Sequence, residues 1–207
     1  TVLFGLHLTW LSLNGPFLQV LKQLGIVLLA LMLGKLTGRL LRLQKMSNRL
    51  GQFAREKMRL ANPKNPRRIN DGFNVCAILF CAAPLGIVGA VCDGLTLKAG
   101  APGYFYPLAV KAVMDGLAAM SFVTMFGPGV MLTAVPVLVF QGSITLVCAR
   151  VLQPWLQAHG NMTDSVNATA GLLIFCVALI IFELKKIEVT DYLPSLAYAP
   201  LLTWWLH

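Results

Sequence analysis

The sequence predicts an all-α, polytopic membrane protein with about six transmembrane helices, some of them broken, and one amphipathic basic helix on the cytoplasmic side. The first observation is composition: 57% of the 207 residues are hydrophobic and 12% are charged, about half the charged fraction that a soluble domain carries. The second is a series of apolar runs of about 20 residues, the length that crosses a bilayer. The third is charge: ten of the 17 basic residues fall within residues 39–68. This composition excludes a disordered chain, a coiled coil and a nucleic-acid-binding module.

The apolar runs predict a single membrane domain over residues 1–207. Residues 1–16 are apolar but short, and we interpret them as a truncated or partial span, or as an interfacial segment, ending at the turn-forming Asn14-Gly15-Pro16. Residues 17–38 form the first span, and five further spans are expected at 73–91, 104–126, 130–151, 166–184 and 192–206.

Residues 39–68 join the first two of these spans and carry most of the positive charge. Apolar residues recur here at helical spacing, with basic residues on the other face, which is typical of an amphipathic helix that lies on an anionic leaflet. Recruitment in the manner of a calmodulin target and RNA binding fit the pattern less well. The residues expected to contact lipid are Arg42, Lys45, Arg49 and Arg55.

The distribution of basic residues also predicts the topology. If residues 39–68 are cytoplasmic, Lys185 and Lys186 lie on the same side, which gives 10 + 2 = 12 basic residues inside. Lys98 and Arg150 are then the two outside. Because Lys and Arg resist translocation, this asymmetry predicts that residues 39–68 lie in the cytoplasm.

Lys111 and Asp115 are the ionisable pair of the third span. They are four residues apart and therefore share one helix face. An ionisable pair at membrane depth is costly unless it is paired or hydrated, which makes it a functional candidate; the alternative is an ion pair that only fixes helix packing. We expect Asp115, with Lys111, to couple the binding of an ion or a proton.

The fourth span, 130–151, combines helix-weakening residues with polar ones. Pro136 removes a backbone donor, and Gly142 lowers helix propensity. Gln141, Ser143 and Thr145 lie beside them at about mid-depth. Broken helices often line substrate sites in transporters, so all five residues are predicted to form the substrate site, although an ordinary kinked helix is the alternative. The second span is also weak, at Pro84-Leu85-Gly86.

Motifs for catalysis and for cofactors are missing from the sequence. It contains no nucleophile elbow, P-loop, HExxH or paired-cysteine spacing, and His7, His159 and His207 have no ligand spacing. We therefore expect no enzyme activity, no metal and no cofactor.

From about Leu21 to the end, the sequence resembles the YqgA/YdfK-type family of bacterial multi-spanning inner-membrane proteins. The most specific element is the run from Gln141 to Leu146. Other matching stretches are 80–89, 93–94, Lys111 with Asp115-Gly116, 134–138, 171–174, 185–187 and 193–194. The chain departs from the pattern at Ala83, where glycine is usual, and at Asp191, where asparagine is usual. The resemblance implies an uncharacterised membrane protein, in some cases assigned to transport.

Together these observations predict a small-solute or ion transporter that acts as a homo-oligomer, since about six short helices barely enclose a cavity alone. The alternative is a non-transporting scaffold or regulator that docks anionic lipid or a cytoplasmic partner through its basic helix. A lipid-modifying enzyme ranks last, because the sequence offers no nucleophile or metal site.

Overall fold

A computed structural model describes residues 2–13, 16–59, 68–96, 104–158, 162–184 and 187–206. Over these residues the chain is helical and forms no strand, which confirms the predicted all-α class. The helices are α1 (Val2–Leu11), α2 (Phe17–Leu40), α3 (Leu43–Arg59), α4 (Arg68–Ala82), α5 (Pro84–Thr96), α6 (Tyr106–Phe126), α7 (Ala134–Val147), α8 (Gln153–Ala158), α9 (Met162–Ile181), α10 (Val189–Tyr192) and α11 (Ser195–Leu206).

Four helical segments within the described ranges are long and apolar enough to cross a membrane, and α4 with α5 makes a fifth if the bent pair is one span. The sequence predicts about six. The predicted last span, 192–206, is interrupted, because α10 ends at Tyr192 and α11 has only 12 residues. At 1.5 Å per residue α11 is about 18 Å long, which is short of the hydrocarbon core of about 30 Å. The four segments that are long and apolar enough to cross a membrane are Phe17–Leu40, Tyr106–Phe126, Pro128–Ala158 and Met162–Ile181.

The second predicted span is broken between α4 and α5, which meet at an angle of 55°. Pro84 begins α5, because proline disfavours a helical conformation at the residue before it and clashes with the preceding turn. The backbone N–H of Gly86 donates to the carbonyl of Ala83 at 3.0 Å, which closes the first turn of the new helix. The bend sends α4 toward α6 and α3, and α5 toward α7 and α9.

The fourth predicted span is irregular, but not where the sequence predicts. α7 runs without interruption through Pro136 and Gly142. Pro136 is the third residue of α7, in the first turn, where a missing N–H removes no bond of a continuing α-helix. The irregular segments flank α7 instead: a 3₁₀ helix at Pro128–Thr133 precedes it, and a π-helical segment at Cys148–Leu152 follows it.

The core forms around α9, in which 61% of the most apolar stretch is buried. The short helix α1 packs against α9, and a Cβ atom on Gly5 would lie 2.7 Å from the carbonyl oxygen of Gly171. α2 packs against α11 in the same way, since a Cβ on Gly34 would lie 2.6 Å from the Cβ of Ser195. Small residues thus bring these backbones into contact, as in many membrane bundles.

α3 is amphipathic, as predicted, and packs beside the bundle against α4, α10 and α2. Ala54 is buried in this contact, and Leu43 and Leu50 are half-buried. Two other apolar residues of α3, Met46 and Phe53, are exposed. They lie on the rim of the packed face, so the helix keeps apolar side chains free.

Candidate functional site

A cavity of about 350 Å³ lies where the end of α4, the 3₁₀ segment, α6 and α7 converge. α4 ends at Ala82, just before the bend at Pro84, and it contacts the 3₁₀ segment, α6 and α7. Side chains around the cavity are mainly apolar, and Lys111, Asp115 and Gln141 form its polar end. Those that bear on its chemistry are Phe80, Lys111, Asp115, Thr133, Val137 and Gln141.

Lys111 and Asp115 form an ion pair within α6, in which the ammonium donates to Asp115 Oδ2. The side chain of Lys111 is 4% exposed and that of Asp115 is 23% exposed. A buried pair of this kind is strongly destabilised if one partner is lost, because the other charge remains in an apolar setting. The predicted pairing of these two residues is therefore present, and it lies on the wall of the cavity.

Gln141 approaches this pair from α7. Its amide nitrogen is buried and makes no hydrogen bond among the described residues. Gly86, in the first turn of α5, lies against both side chains: a Cβ there would be 2.6 Å from Gln141 Nε2 and 2.6 Å from Lys111 Cε. The absence of a side chain at Gly86 thus allows Lys111 and Gln141 to meet.

The other predicted substrate residues lie outside the lining of the cavity. Ser143 is exposed, and its hydroxyl donates to the carbonyl of Phe140 in its own helix at 2.8 Å. Thr145 donates to the carbonyl of Ala90 at 3.2 Å, which joins α7 to α5. Pro136 is half-buried beside the lining residue Val137. Gly142 contacts nothing within 4 Å of a Cβ position.

Three residues of the site were not predicted from the sequence to belong to it. Phe80, at the end of α4, and Thr133, in the 3₁₀ segment, line the cavity, and Gly86 shapes its polar end. The signal for Gly86 was its place two residues after Pro84, at a predicted weak helix. Phe80 and Thr133 carry no comparable signal, because apolar and hydroxyl residues are common in every span.

The residues predicted to contact lipid lie on one side of the bundle. Lys45, Arg49 and Arg55 project from α3 and are exposed. Arg42 is exposed in the turn between α2 and α3, with φ of 56° in the left-handed region. Lys185, Lys186, Lys98 and His159, which enter the topology and metal predictions, are outside the described residues.

The N-terminus of α3 is held by Asp191, which the sequence singles out only as a departure from the family pattern. Asp191 is 3% exposed, and its Oδ1 accepts the backbone N–H of Gln44 at 2.7 Å. A carboxylate at a helix N-terminus satisfies a free donor and complements the helix dipole. This contact fastens α3 to α10.

The apolar helices that are long enough to cross a membrane define a polytopic α-helical membrane protein. The chain belongs to the family of proteins of unknown function DUF554, whose model matches residues 1–204, and the predicted resemblance is thereby confirmed.

Two relatives of this family match the chain. It is 32% identical over 209 aligned residues to the uncharacterised protein YqgA of Escherichia coli (strain K12), covering 99% of this chain and 83% of the relative. It is 27% identical over 161 residues to the uncharacterised membrane protein YdfK of Bacillus subtilis (strain 168), covering 76% of this chain and 66% of the relative. No solved structure matches the chain significantly.

Proposed function

We propose that this protein is a transporter or permease for a small solute or ion in the bacterial inner membrane, with the Lys111–Asp115–Gln141 cavity as its site. The observation that carries the proposal is an ion pair with a buried lysine, together with an unpartnered amide, around a cavity of about 350 Å³ beside a broken helix. Polar groups at membrane depth are costly and commonly belong to solute pathways. Broken helices are tolerated where they line such a cavity.

This proposal assigns fewer residues to the site than the sequence predicts. Gln141 is assigned to the solute, and Asp115 with Lys111 to coupling. The hydroxyls of Ser143 and Thr145 already donate to backbone carbonyls, so we assign them to helix packing. The proposal needs no catalytic residue, metal or cofactor.

The test is uptake into proteoliposomes from separate panels of inorganic ions, amino acids, small organic acids and neutral solutes. Asp115→Asn and Gln141→Leu should each abolish the flux that the wild type supports. The matched controls are Asp71→Asn, which removes the carboxylate of an ion pair outside the cavity, and Gln157→Leu on the exposed side of α8. Flux that survives in both cavity variants would refute the site, and no flux from any panel would refute the function.

The alternative function, a scaffold that docks anionic lipid, is favoured by the exposed surface of α3. Met46 and Phe53 are exposed there close to Arg49, a combination suited to insertion between anionic headgroups. Under this alternative, Arg49→Glu and Arg55→Glu abolish function and the cavity variants do not. The same two changes should leave solute flux unaltered if the cavity is the functional site.

The proposed topology puts α3 in the cytoplasm. Gln52 is exposed on α3, and the chain's five cysteines are buried or half-buried. In intact bacterial spheroplasts, Gln52→Cys should therefore resist a membrane-impermeant maleimide and react once the membrane is opened. Labelling in intact spheroplasts would reverse the topology.

We also propose that the chain is a homo-oligomer, with the outer face of α6 in the interface. Only 6% of the most apolar stretch of α6 is buried, against 61% in α9, and the exposed side chains on this outer face include Val113, Leu117 and Met120. A second copy would pack against this face through close van der Waals contacts, as helices do in membranes. Light scattering in mild detergent should give a multiple of 22.5 kDa, and Leu117→Cys on α6 should cross-link while Leu28→Cys on α2 does not.

A further inference from the structure

The charges that face the cavity cancel. Lys111 and Asp115 pair with each other on α6. From α4, the Cys81 thiol lies within electrostatic range of both. Among the described residues, the lining contributed by the 3₁₀ segment and α7 carries no charge, and α5 approaches through Gly86. The empty cavity is thus electrically neutral.

Unused hydrogen-bond donors lie at the polar end of the cavity. Gln141 Nε2 is buried without an acceptor, and the ammonium of Lys111 has three N–H groups. The hydroxyl of Thr133 already donates to the carbonyl of Val130 at 2.6 Å. The first turn of α5 touches Lys111 and Gln141, and the N-terminal end of a helix carries a partial positive charge. Unfilled donors beside a cation and a positive helix end favour an anionic ligand over a cation.

An anion cannot enter a neutral, apolar cavity without compensation. If it binds the Lys111 ammonium and Gln141 Nε2, it displaces the carboxylate of Asp115. That carboxylate would then be a second unpaired negative charge at membrane depth, which is far more costly than its neutral form. A proton from water on the side of entry must therefore bind to Asp115 as the anion binds to Lys111. The balance is one anion and one proton entering together, with no net charge added.

Building on the proposed transport function, we infer that the cavity binds a small monovalent anion at Lys111 and Gln141 while Asp115 takes up one proton. The ligand class is a monovalent carboxylate or a similar anion that fits within about 350 Å³. Transport through this site is electroneutral, and a pH gradient drives it.

Binding to the purified chain in nanodiscs tests the inference. The probes are acetate, lactate, methanesulfonate and chloride, with lactamide as the neutral analogue of lactate, and the readout is calorimetric or thermal-shift affinity between pH 7.5 and 5.5. At least one anion should bind, and its affinity should rise by about tenfold for each unit by which the pH is lowered, as expected for uptake of one proton. Lactamide should not bind.

Two variants separate proton uptake by the protein from binding of the neutral acid. Asp115→Asn mimics the protonated carboxyl group, so it should bind the anion with an affinity that no longer depends on pH. If the neutral acid were the ligand, the pH dependence would persist in this variant. Lys111→Met should abolish binding, whereas Lys111→Arg should retain it and show that the charge is required. Persistent pH dependence in Asp115→Asn, binding by Lys111→Met, or no binding of any of the four anions would overturn the inference.

Uptake in proteoliposomes separates this inference from the function on which it rests. If anions do not bind but a neutral or cationic solute is taken up and Gln141→Leu abolishes that uptake, transport stands and the anion assignment is wrong. If an anion binds as described but no solute is taken up, the binding site stands and transport is wrong. Uptake driven by an inward proton gradient, without an electrical current, supports both.

Discussion

Two lysine–aspartate pairs in this protein have the same chemistry and opposite surroundings. Lys57 of α3 and Asp71 of α4 meet at 3.2 Å with side chains 36% and 32% exposed, whereas Lys111 and Asp115 lie within α6 and are 4% and 23% exposed. Water can solvate either partner of the outer pair if it breaks, so such a pair contributes little. The inner pair has no such substitute. Surroundings rather than pairing thus decide which charges are candidates for function.

The largest effect should come from removing the inner lysine. Lys111→Met leaves the carboxylate of Asp115 without its partner, so the free energy of unfolding should fall by about 3 kcal/mol, the lower end of the range for broken buried pairs. Reversible unfolding in bicelles measures this change. The double variant Lys111→Met/Asp115→Asn should recover most of the lost stability and none of the transport, since it removes both charges. A double variant as unstable as Lys111→Met would mean that the lysine acts through its packing.

A smaller effect should follow from filling the space that lets the inner pair meet Gln141. Gly86→Ala adds a methyl group where a Cβ lies 2.6 Å from Gln141 Nε2 and Lys111 Cε. The side chains must shift, which should cost about 1–3 kcal/mol, as overpacking does, and solute uptake should fall, but less than in Gln141→Leu. Gly25→Ala is the control, because nothing lies within 4 Å of its Cβ position and alanine favours the helix by up to about 1 kcal/mol. Equal stability of the two alanine variants would contradict the packing argument.

Sequence alone predicted the parts of this fold and site that depend on local pattern. Apolar length and the scarcity of charge predicted an all-α membrane protein, and the four-residue spacing predicted that Lys111 and Asp115 share a face. Helical periodicity also explains why some of the predicted substrate residues face α5 and another does not. Gln141 and Thr145 are one turn apart and both face α5, toward Gly86 and Ala90. Position 143 lies about 200° from position 141, so Ser143 points away.

The contacts between distant segments could not be predicted from sequence. The cavity is one example, because Phe80, near the bend at Pro84, lines it together with residues of α7 that are far away in the sequence. Asp191 illustrates the same limit, since its partner Gln44 is 147 residues away. A charge near a span end is ordinarily interfacial, and nothing local reveals that this one is buried. In the same way, the apolar run 192–206 does not show that its helix restarts at Ser195.

The carboxylate of Asp191 can be compared with those of the two ion pairs. It is buried, and among the described contacts it binds a backbone N–H rather than a lysine. Asp191→Ala leaves the buried donor of Gln44 unpaired, which should cost about 1–2 kcal/mol and speed hydrogen exchange at Gln44. Asp191→Asn keeps an acceptor oxygen and should lose less than half as much. If both variants are equally destabilised, the charge of Asp191 matters more than its hydrogen bond.

The smallest effect should come from the outer pair, and its response to salt should distinguish it from the inner one. Lys57→Gln and Asp71→Asn, combined in a double-mutant cycle, should give a coupling energy below about 1 kcal/mol, since both side chains are about one-third exposed. Because the Debye length falls to about 3 Å in 1 M salt, that coupling should vanish there. The corresponding cycle at Lys111 and Asp115 should be larger and nearly unchanged by salt, because ions do not reach a side chain that is 4% exposed. A salt-sensitive coupling at the inner pair would mean that the cavity is open to bulk water, and the proton on Asp115 would then not be needed to admit an anion.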